Sequence, residues 1–434
     1  MTMVGVGGSI GTGLLLGSGA AIQIAGPAVV ISFVIGAVIA FAVTMALGEL
    51  ACLHPGAGSF GIYADLYLNH WAGFVSRFGY WIAILISISA ELVASATYAR
   101  FWFPAVPSFI WVALFGGLLL VVNLREVKNF GSFEYWFAMV KVVTIVVFII
   151  LGAGLLFAGR VASHYSADGG FMPHGASGPL LAISFALFSF LGTEMVAISS
   201  GEAVSVRAIA RATYATFALV CFIYVGAMAV LAGVLPWSQA GVGQSPFVTV
   251  FATAHIPAAS HITNFVVLTA ALSGSNASLY VTSRMLYSLA EADEAPRALA
   301  KVDPAGVPRR AILVSSLGIV VAMVLQYFTP ANAYLYIIGS SLFGGMLAWC
   351  IALLSHIAMR RKLSRQQLAA LVMRAPGGAI ASTLAFVAIA AVIVSTWWVP
   401  QTRITILSGG PYLLLLSLLY LIMKKLSAKA TISS

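Results

Sequence analysis

Seven of the first nineteen residues are glycine, in the stretch Gly5-Val6-Gly7-Gly8-Ser9-Ile10-Gly11-Thr12-Gly13-Leu14-Leu15-Leu16-Gly17 and just beyond it. Each glycine costs a helix interior about 1 kcal/mol relative to alanine. A glycine cluster inside an apolar run of helix length therefore predicts a helix that breaks. A break frees backbone N–H and C=O groups, which at membrane depth must be buried in protein or line a polar cavity. The two half-helix ends then offer a site for a carboxylate and for an ammonium or other cation. The same residues carry two other readings. Gly13 and Gly17 fit a small-xxx-small helix-packing pattern. Gly7-Gly8-Ser9-Ile10-Gly11 fits the G-x-S-x-G nucleophile elbow, but that motif needs a strand before the serine. Both flanks here read as membrane helix, which excludes it.

Ionisable residues inside apolar segments are costly and mark function by default, and four stand out. Glu49 sits at the end of one segment, suited to capping or to pairing with a loop arginine. Glu91, in Ser87-Ile88-Ser89-Ala90-Glu91, either faces a cavity or pairs with a cation. Glu194 follows a second glycine break and is placed to hold backbone donors there; direct substrate contact is the other reading. Lys141 lies roughly three helical turns beyond Gly131. Snorkelling to the membrane surface would strain it at that depth. None of these residues forms a nucleophile–base set. The seven histidines fall mostly in loops or at segment ends. No H-E-x-x-H or Walker sequence is present, so neither an enzyme nor an ATP-driven pump is expected. Three cysteines, Cys52, Cys221 and Cys350, have no ligand spacing, so neither a disulfide framework nor a metal or other cofactor is expected.

The elements that position these residues are read from composition. The 434 residues are 61% hydrophobic and 8% charged, with mean hydropathy +1.03, where soluble domains carry about 25% charged residues. With about 20 apolar residues per span, twelve spans are expected near 2–22, 28–53, 74–101, 107–124, 133–158, 178–201, 212–235, 262–290, 310–328, 332–359, 378–398 and 409–424. The net charge of +10 is scattered between spans, which argues against a nucleic-acid partner. Sixteen Lys and Arg fall on one side of this map and Arg100, Arg160 and Arg403 on the other. The positive-inside rule then puts both termini in the cytoplasm. No basic n-region precedes the first segment, so no signal peptide is expected. Phe190-Leu191-Gly192-Thr193-Glu194 in span 6 echoes Ile10-Gly11-Thr12-Gly13 in span 1. An offset of five spans inverts the second copy relative to the first, the pattern of an inverted-repeat transporter.

At this point the motifs resemble a known family. Gly8-Ser9-Ile10-Gly11-Thr12-Gly13-Leu14-Leu15-Leu16-Gly17-Ser18-Gly19 is similar to the first helix of the amino acid transporter (amino acid permease) family, in the amino acid–polyamine–organocation superfamily. So are Gly48-Glu49-Leu50, the run from Pro55 to Phe60, and Tyr63-Ala64. The stretch Phe130 to Phe137 leading into Lys141 fits more loosely, and the best match is Asn264 to Ser273 followed by Thr282 to Ala290. The resemblance implies an all-α membrane protein of twelve transmembrane helices. It implies a five-plus-five inverted repeat with discontinuous helices 1 and 6, plus two C-terminal helices. The transporter domain is then 1–425, with repeats 1–158 and 178–359, extra helices in 378–424 and a cytoplasmic tail at 426–434. The substrate carboxylate would meet the N–H groups of Gly11, Thr12 and Gly13. Its ammonium would meet carbonyls of Ile10, Phe188, Ser189 and Leu191, with Phe188 as a gate. Lys141 matches the lysine that replaces a sodium ion in sodium-independent members; its amine would bridge the span 1 break and span 8 near Ser273 and Ser275, and gain or lose a proton during the cycle. Ser87, Glu91, Phe188, Phe190, Tyr334, Tyr336 and Ser340 would shape the side-chain pocket. The loop from Gly201 to Arg207 is shorter than usual and lacks proline. The implied function is import of amino acids across the cytoplasmic (inner) membrane by proton symport with alternating access, with exchange as the alternative. A channel or a membrane-embedded enzyme would need a polar stripe or a catalytic set that the sequence lacks. The partners implied are a small-molecule amino acid, protons and the lipid bilayer; the oligomeric state stays open.

Overall fold

The computed structural model describes every residue except 1, 56–58, 126–129, 160–162, 168, 199, 201–204, 254–256, 305 and 433–434. Among the described residues the regular structure is all helical. In chain order the α-helices are α1 (Thr2–Ser9), α2 (Ser18–Ala25), α3 (Val29–Leu53), α4 (Ser59–Tyr67), α5 (His70–Ala99), α6 (Ser108–Leu124) and α7 (Phe130–Phe157). Then come α8 (Ser177–Leu181), α9 (Ile183–Phe190), α10 (Met195–Ile198), α11 (Val206–Val234), α12 (Pro246–Thr253) and α13 (Pro257–Glu291). The chain closes with α14 (Arg309–Ser315), α15 (Leu317–Phe328), α16 (Ala333–Lys362), α17 (Arg365–Ala369), α18 (Gly378–Ser395) and α19 (Ile404–Ile432).

Ten helical stretches among the described residues are long and apolar enough to cross a bilayer. One of them, Gly13–Leu53, is 41 residues long and contains the bend at Gly26-Pro27. Gly26 has φ of 62° there, a conformation that glycine adopts without penalty. Ser108–Leu124 is apolar but shorter, at 17 residues. Helix α19 runs on into the segment expected as the tail, to Ile432. The short helices α4, α12 and α17 carry too few apolar residues for a span, and the span map does not contain them. Of the quoted motifs, Gly56 to Gly58 and Gly201 to Val204 lie outside the described residues.

Helix α5 is the central post, packed against α13, α15 and α16, while α3 packs against α9 and α11. Because lipid is as apolar as leucine, burial alone does little to hold spans together, and close packing with interhelical hydrogen bonds does more. Such bonds recur here. Ser89 Oγ donates to Gly318 O (2.6 Å), Ser341 Oγ to Ala83 O (2.9 Å) and Asn123 Nδ2 to Asn276 Oδ1 (2.7 Å). Large apolar side chains such as Ile150 on α7 and Leu384 on α18 face outward. At one end of the bundle Arg77 joins Asp65 of α4 to Glu294 beyond α13, both at 2.6 Å. Burial raises the Glu294 carboxyl above the usual range, against the pull of Arg77.

Candidate functional site

The first helix breaks between α1 and a π-helical turn at Gly13–Gly17. The second breaks between α9 and α10, where Leu191 leaves helical geometry and Gly192 takes φ of 108°. Only glycine adopts that φ freely. There is also no room for a side chain, because a Cβ on Gly192 would overlap Gly8 O and lie 3.0 Å from Ser9 Cα. A Cβ on Gly13 would lie 2.9 Å from Ser189 Cα. The two breaks therefore touch backbone to backbone.

Glu91 reaches the first break from α5. The Thr12 N–H donates to Glu91 Oε1 (3.1 Å). The Gly11 N–H is held by Ser9 O (3.0 Å). Two of the three donors expected to meet a substrate carboxylate are thus engaged within the chain. A carboxylate at the start of a half-helix meets the positive end of its dipole. Glu91 Oε2 is buried without a hydrogen-bond partner, and the residue is 7% exposed. Glu91 does more than the two sequence readings allowed: it lines the cavity and also caps the break.

Glu194 spans its own break. Its Oε2 accepts from Gly192 N (2.9 Å) and its Oε1 from Tyr80 OH (3.0 Å). Lys141 is 2% exposed, and its Nζ donates to Gly7 O (3.4 Å). That carbonyl belongs to α1, ahead of the break. On the span 8 side, Ser275 Oγ donates to Ile88 O (3.5 Å). Glu49 stands apart from the cavity. Arg360 grips it through two bonds (2.9 and 2.7 Å), and Ala375 N–H adds a third (2.5 Å). The pairing with Arg360 is bidentate, the strong geometry for a guanidinium and a carboxylate. His356 Nε2 is 3.4 Å from the same carboxylate.

A cavity of about 590 Å³, counting its open mouth, joins these groups. Span 1 lines it with Gly8, Ser9, Gly11 and Gly13, and span 6 with Phe188, Ser189, Leu191 and Glu194. Helix α5 adds Tyr80, Ser87 and Glu91; Ser278 of α13 and Ser341 of α16 complete the polar lining. On one side the breaks are sealed: Tyr334 OH donates to Thr12 O (2.7 Å) and Ser245 Oγ to Leu15 O (2.8 Å). Gly241 O presses against Gly19 there.

Several expected pocket residues stand elsewhere. The Ile10 side chain, which the expectation for its carbonyl does not involve, is fully buried on the Lys141 side, among Thr144, Phe148 and Phe247. Phe190 packs against Phe33, Phe217 and Tyr224. Tyr334 seals the break, Tyr336 is 39% exposed, and the α16 serine that lines the cavity is Ser341, not Ser340. One residue turns a helix by 100°, enough to exchange faces. Tyr80, Ser278 and Ser341 were not anticipated. Tyr80, Ser87 and Glu91 share a helix face at spacings of seven and four, the signal that finds Tyr80. Among the described residues no three His, Cys, Asp or Glu side chains group as a metal site.

Two interrupted helices meet at a polar cavity in a multi-pass helical bundle, an architecture that suits a membrane carrier. A family model described as amino acid permease matches residues 1–430. The gamma-aminobutyric acid permease of Bacillus subtilis (strain 168) is 37% identical over 432 residues, covering 98% of this chain and 92% of that protein. The aromatic amino acid transport protein AroP of Escherichia coli (strain K12) is 36% identical over 436 residues, covering 99% and 94%. The chain belongs to the amino acid permease family, whose members are transporters and not enzymes.

Proposed function

We propose that this protein imports a small-molecule amino acid across the cytoplasmic membrane by proton symport with alternating access. The carrying observation is the Glu91 carboxylate on the Thr12 N–H, at a break whose donors suit a substrate carboxylate. Two carboxylates cannot share that donor cheaply. An arriving substrate carboxylate displaces Glu91, whose Oε side then faces the substrate ammonium, along with the carbonyls of Ile10, Phe188, Ser189 and Leu191. Phe188 closes over the bound molecule. Lys141 holds α1 through Gly7 O, and a proton gained or lost there biases the gate if the two states bind the proton differently. Glu194 and Glu49 keep the frame: one bridges the second break, the other ties α3 to α16.

The architecture that supports this reading has twelve spans. Helices α1–α2, α3, α5, α6 and α7 form the first repeat (1–158). Helices α8–α10, α11, α13, α14–α15 and α16 form the second (178–359), inverted with respect to the first. Helices α18 and α19 are the two extra spans. With both termini cytoplasmic, the cavity opens inward and the Tyr334–Thr12 seal faces outward.

Uptake of labelled amino acid into proteoliposomes tests the coupling. An inward proton gradient is expected to drive accumulation without sodium. Accumulation that needs only internal amino acid, with no gradient, supports exchange instead. Orientation is tested separately. Cysteines placed at exposed Arg365 and exposed Gln244, in a background lacking the native three, are expected to label from opposite sides of intact cells. Labelling of both from outside breaks the twelve-span arrangement.

A further inference from the structure

The acidic residues end at Asp303: from 304 to 434 there is no Asp or Glu, against eleven Lys and Arg. Four of these, Arg361, Lys362, Arg365 and Arg374, fall within fourteen residues around α17. Their neighbour Arg360 is engaged by Glu49. None of the four pairs with a carboxylate among the described residues. Lys362 Nζ donates to Leu66 O (3.3 Å) and lies 5.4 Å from the Tyr67 ring centroid. Arg374 donates to Ala369 O, which folds the segment back onto α17. At the other end of α17, Gln367 N donates to Ser364 Oγ (3.2 Å) and Ser364 N to Gln367 Oε1 (2.8 Å), fixing the helix start. The cations are thus gathered on an ordered element. Apolar side chains face outward among them: Val372 is 57% exposed, and Leu66 beside Lys362 is 51% exposed. Cations mixed with outward apolar groups at the end of a span match the headgroup layer of a membrane.

We propose that α17 and its flanks bind the phosphate of an anionic phospholipid headgroup, and that its occupancy supports transport. The inference rests on the orientation reading above, which puts this segment at the cytoplasmic leaflet. The mechanical link is short. Ala375, next to Arg374, donates its N–H to Glu49, and the Met373 side chain fills the space over Gly48. A headgroup that holds the segment therefore holds the end of α3, where Thr44 Oγ1 donates to Thr193 Oγ1 (3.1 Å) at the second break. Orientation by positive charge accounts for cations on this side, but not for their ordered fold-back among exposed apolar side chains.

The test uses purified full-length protein in phosphatidylcholine nanodiscs with increasing phosphatidylglycerol, read by melting temperature, and uptake in matching liposomes. Both melting temperature and uptake are expected to rise with phosphatidylglycerol and to respond less at high salt. Each cation near an anionic surface strengthens binding by roughly fivefold. Arg361→Gln with Arg365→Gln and Arg374→Gln is therefore expected to weaken it by roughly a hundredfold. Lys424→Gln with Lys425→Gln, on α19, is expected to keep the response, and inorganic phosphate is expected to give none. An unchanged response in the triple variant overturns the proposal, as does an equal loss in the Lys424 and Lys425 variant. A matching rise with inorganic phosphate overturns the lipid assignment. Melting requires no substrate. A protein stabilised by phosphatidylglycerol that moves no amino acid fails the transport reading alone, while one that transports equally well in neutral lipid fails this proposal alone.

Discussion

Gly13→Val is expected to abolish substrate binding and uptake while leaving insertion largely intact. The position allows no Cβ: it would lie 2.9 Å from Ser189 Cα and 3.0 Å from the Phe188 ring. Either the two breaks separate or Phe188 is driven out of its place at the cavity. Overpacking of this kind costs about 1–3 kcal/mol, a strain that falls on the site itself. A β-branched residue also resists the irregular backbone there. The matched control is Gly154→Val on α7, where nothing lies within 4 Å of the added Cβ. It is expected to transport normally. Ligand-induced thermal shift and proteoliposome uptake read the two variants, at equal amounts of folded protein. Near-normal uptake by Gly13→Val removes the substrate from span 1.

Lys141→Ala is expected to eliminate gradient-driven accumulation while weakening substrate binding by at most about tenfold. The amine donates to Gly7 O on α1, and Lys141 is not among the residues that line the cavity. Its loss frees α1 to move without the proton and removes little that the substrate touches. Lys141→Arg separates two roles. Arginine keeps its charge at any relevant pH, so a lysine that exchanges its proton cannot be replaced by it. A fully gradient-driven Lys141→Arg protein would show that Lys141 is a permanently charged strut. Sodium-dependent uptake by the unmodified protein would sink the coupling scheme altogether.

The parts of this molecule legible in the sequence are those written in short windows. Glycine clusters marked where backbone leaves the helix, and lone ionisable residues in apolar runs marked Glu49, Glu91, Lys141 and Glu194 as special. What each one touches was not legible. Glu91 and Thr12 are 79 residues apart, and Glu49 and Arg360 are 311 apart. Such pairings depend on how helices are arranged. Spans that are apolar on every side carry no amphipathic stripe to report which face is inward. The exchange of Ser340 for Ser341 and the placement of Phe190 away from the cavity have that same cause.

The grip on Glu49 also has a meaning for biosynthesis. Its carboxylate is fully buried in the finished protein, and every hydrogen-bond donor described for it, Arg360 and Ala375 N–H, comes from the last quarter of the chain. At 5–20 residues per second, roughly 15 to 60 s separate the synthesis of Glu49 from that of Arg360. Throughout that interval the end of α3 cannot be packed shut, because a buried carboxylate stripped of its partner costs about 3–5 kcal/mol. The nascent bundle must keep this corner wet until α16 arrives. A chain released before residue 360 therefore carries a charged, unclosed corner at the end of α3.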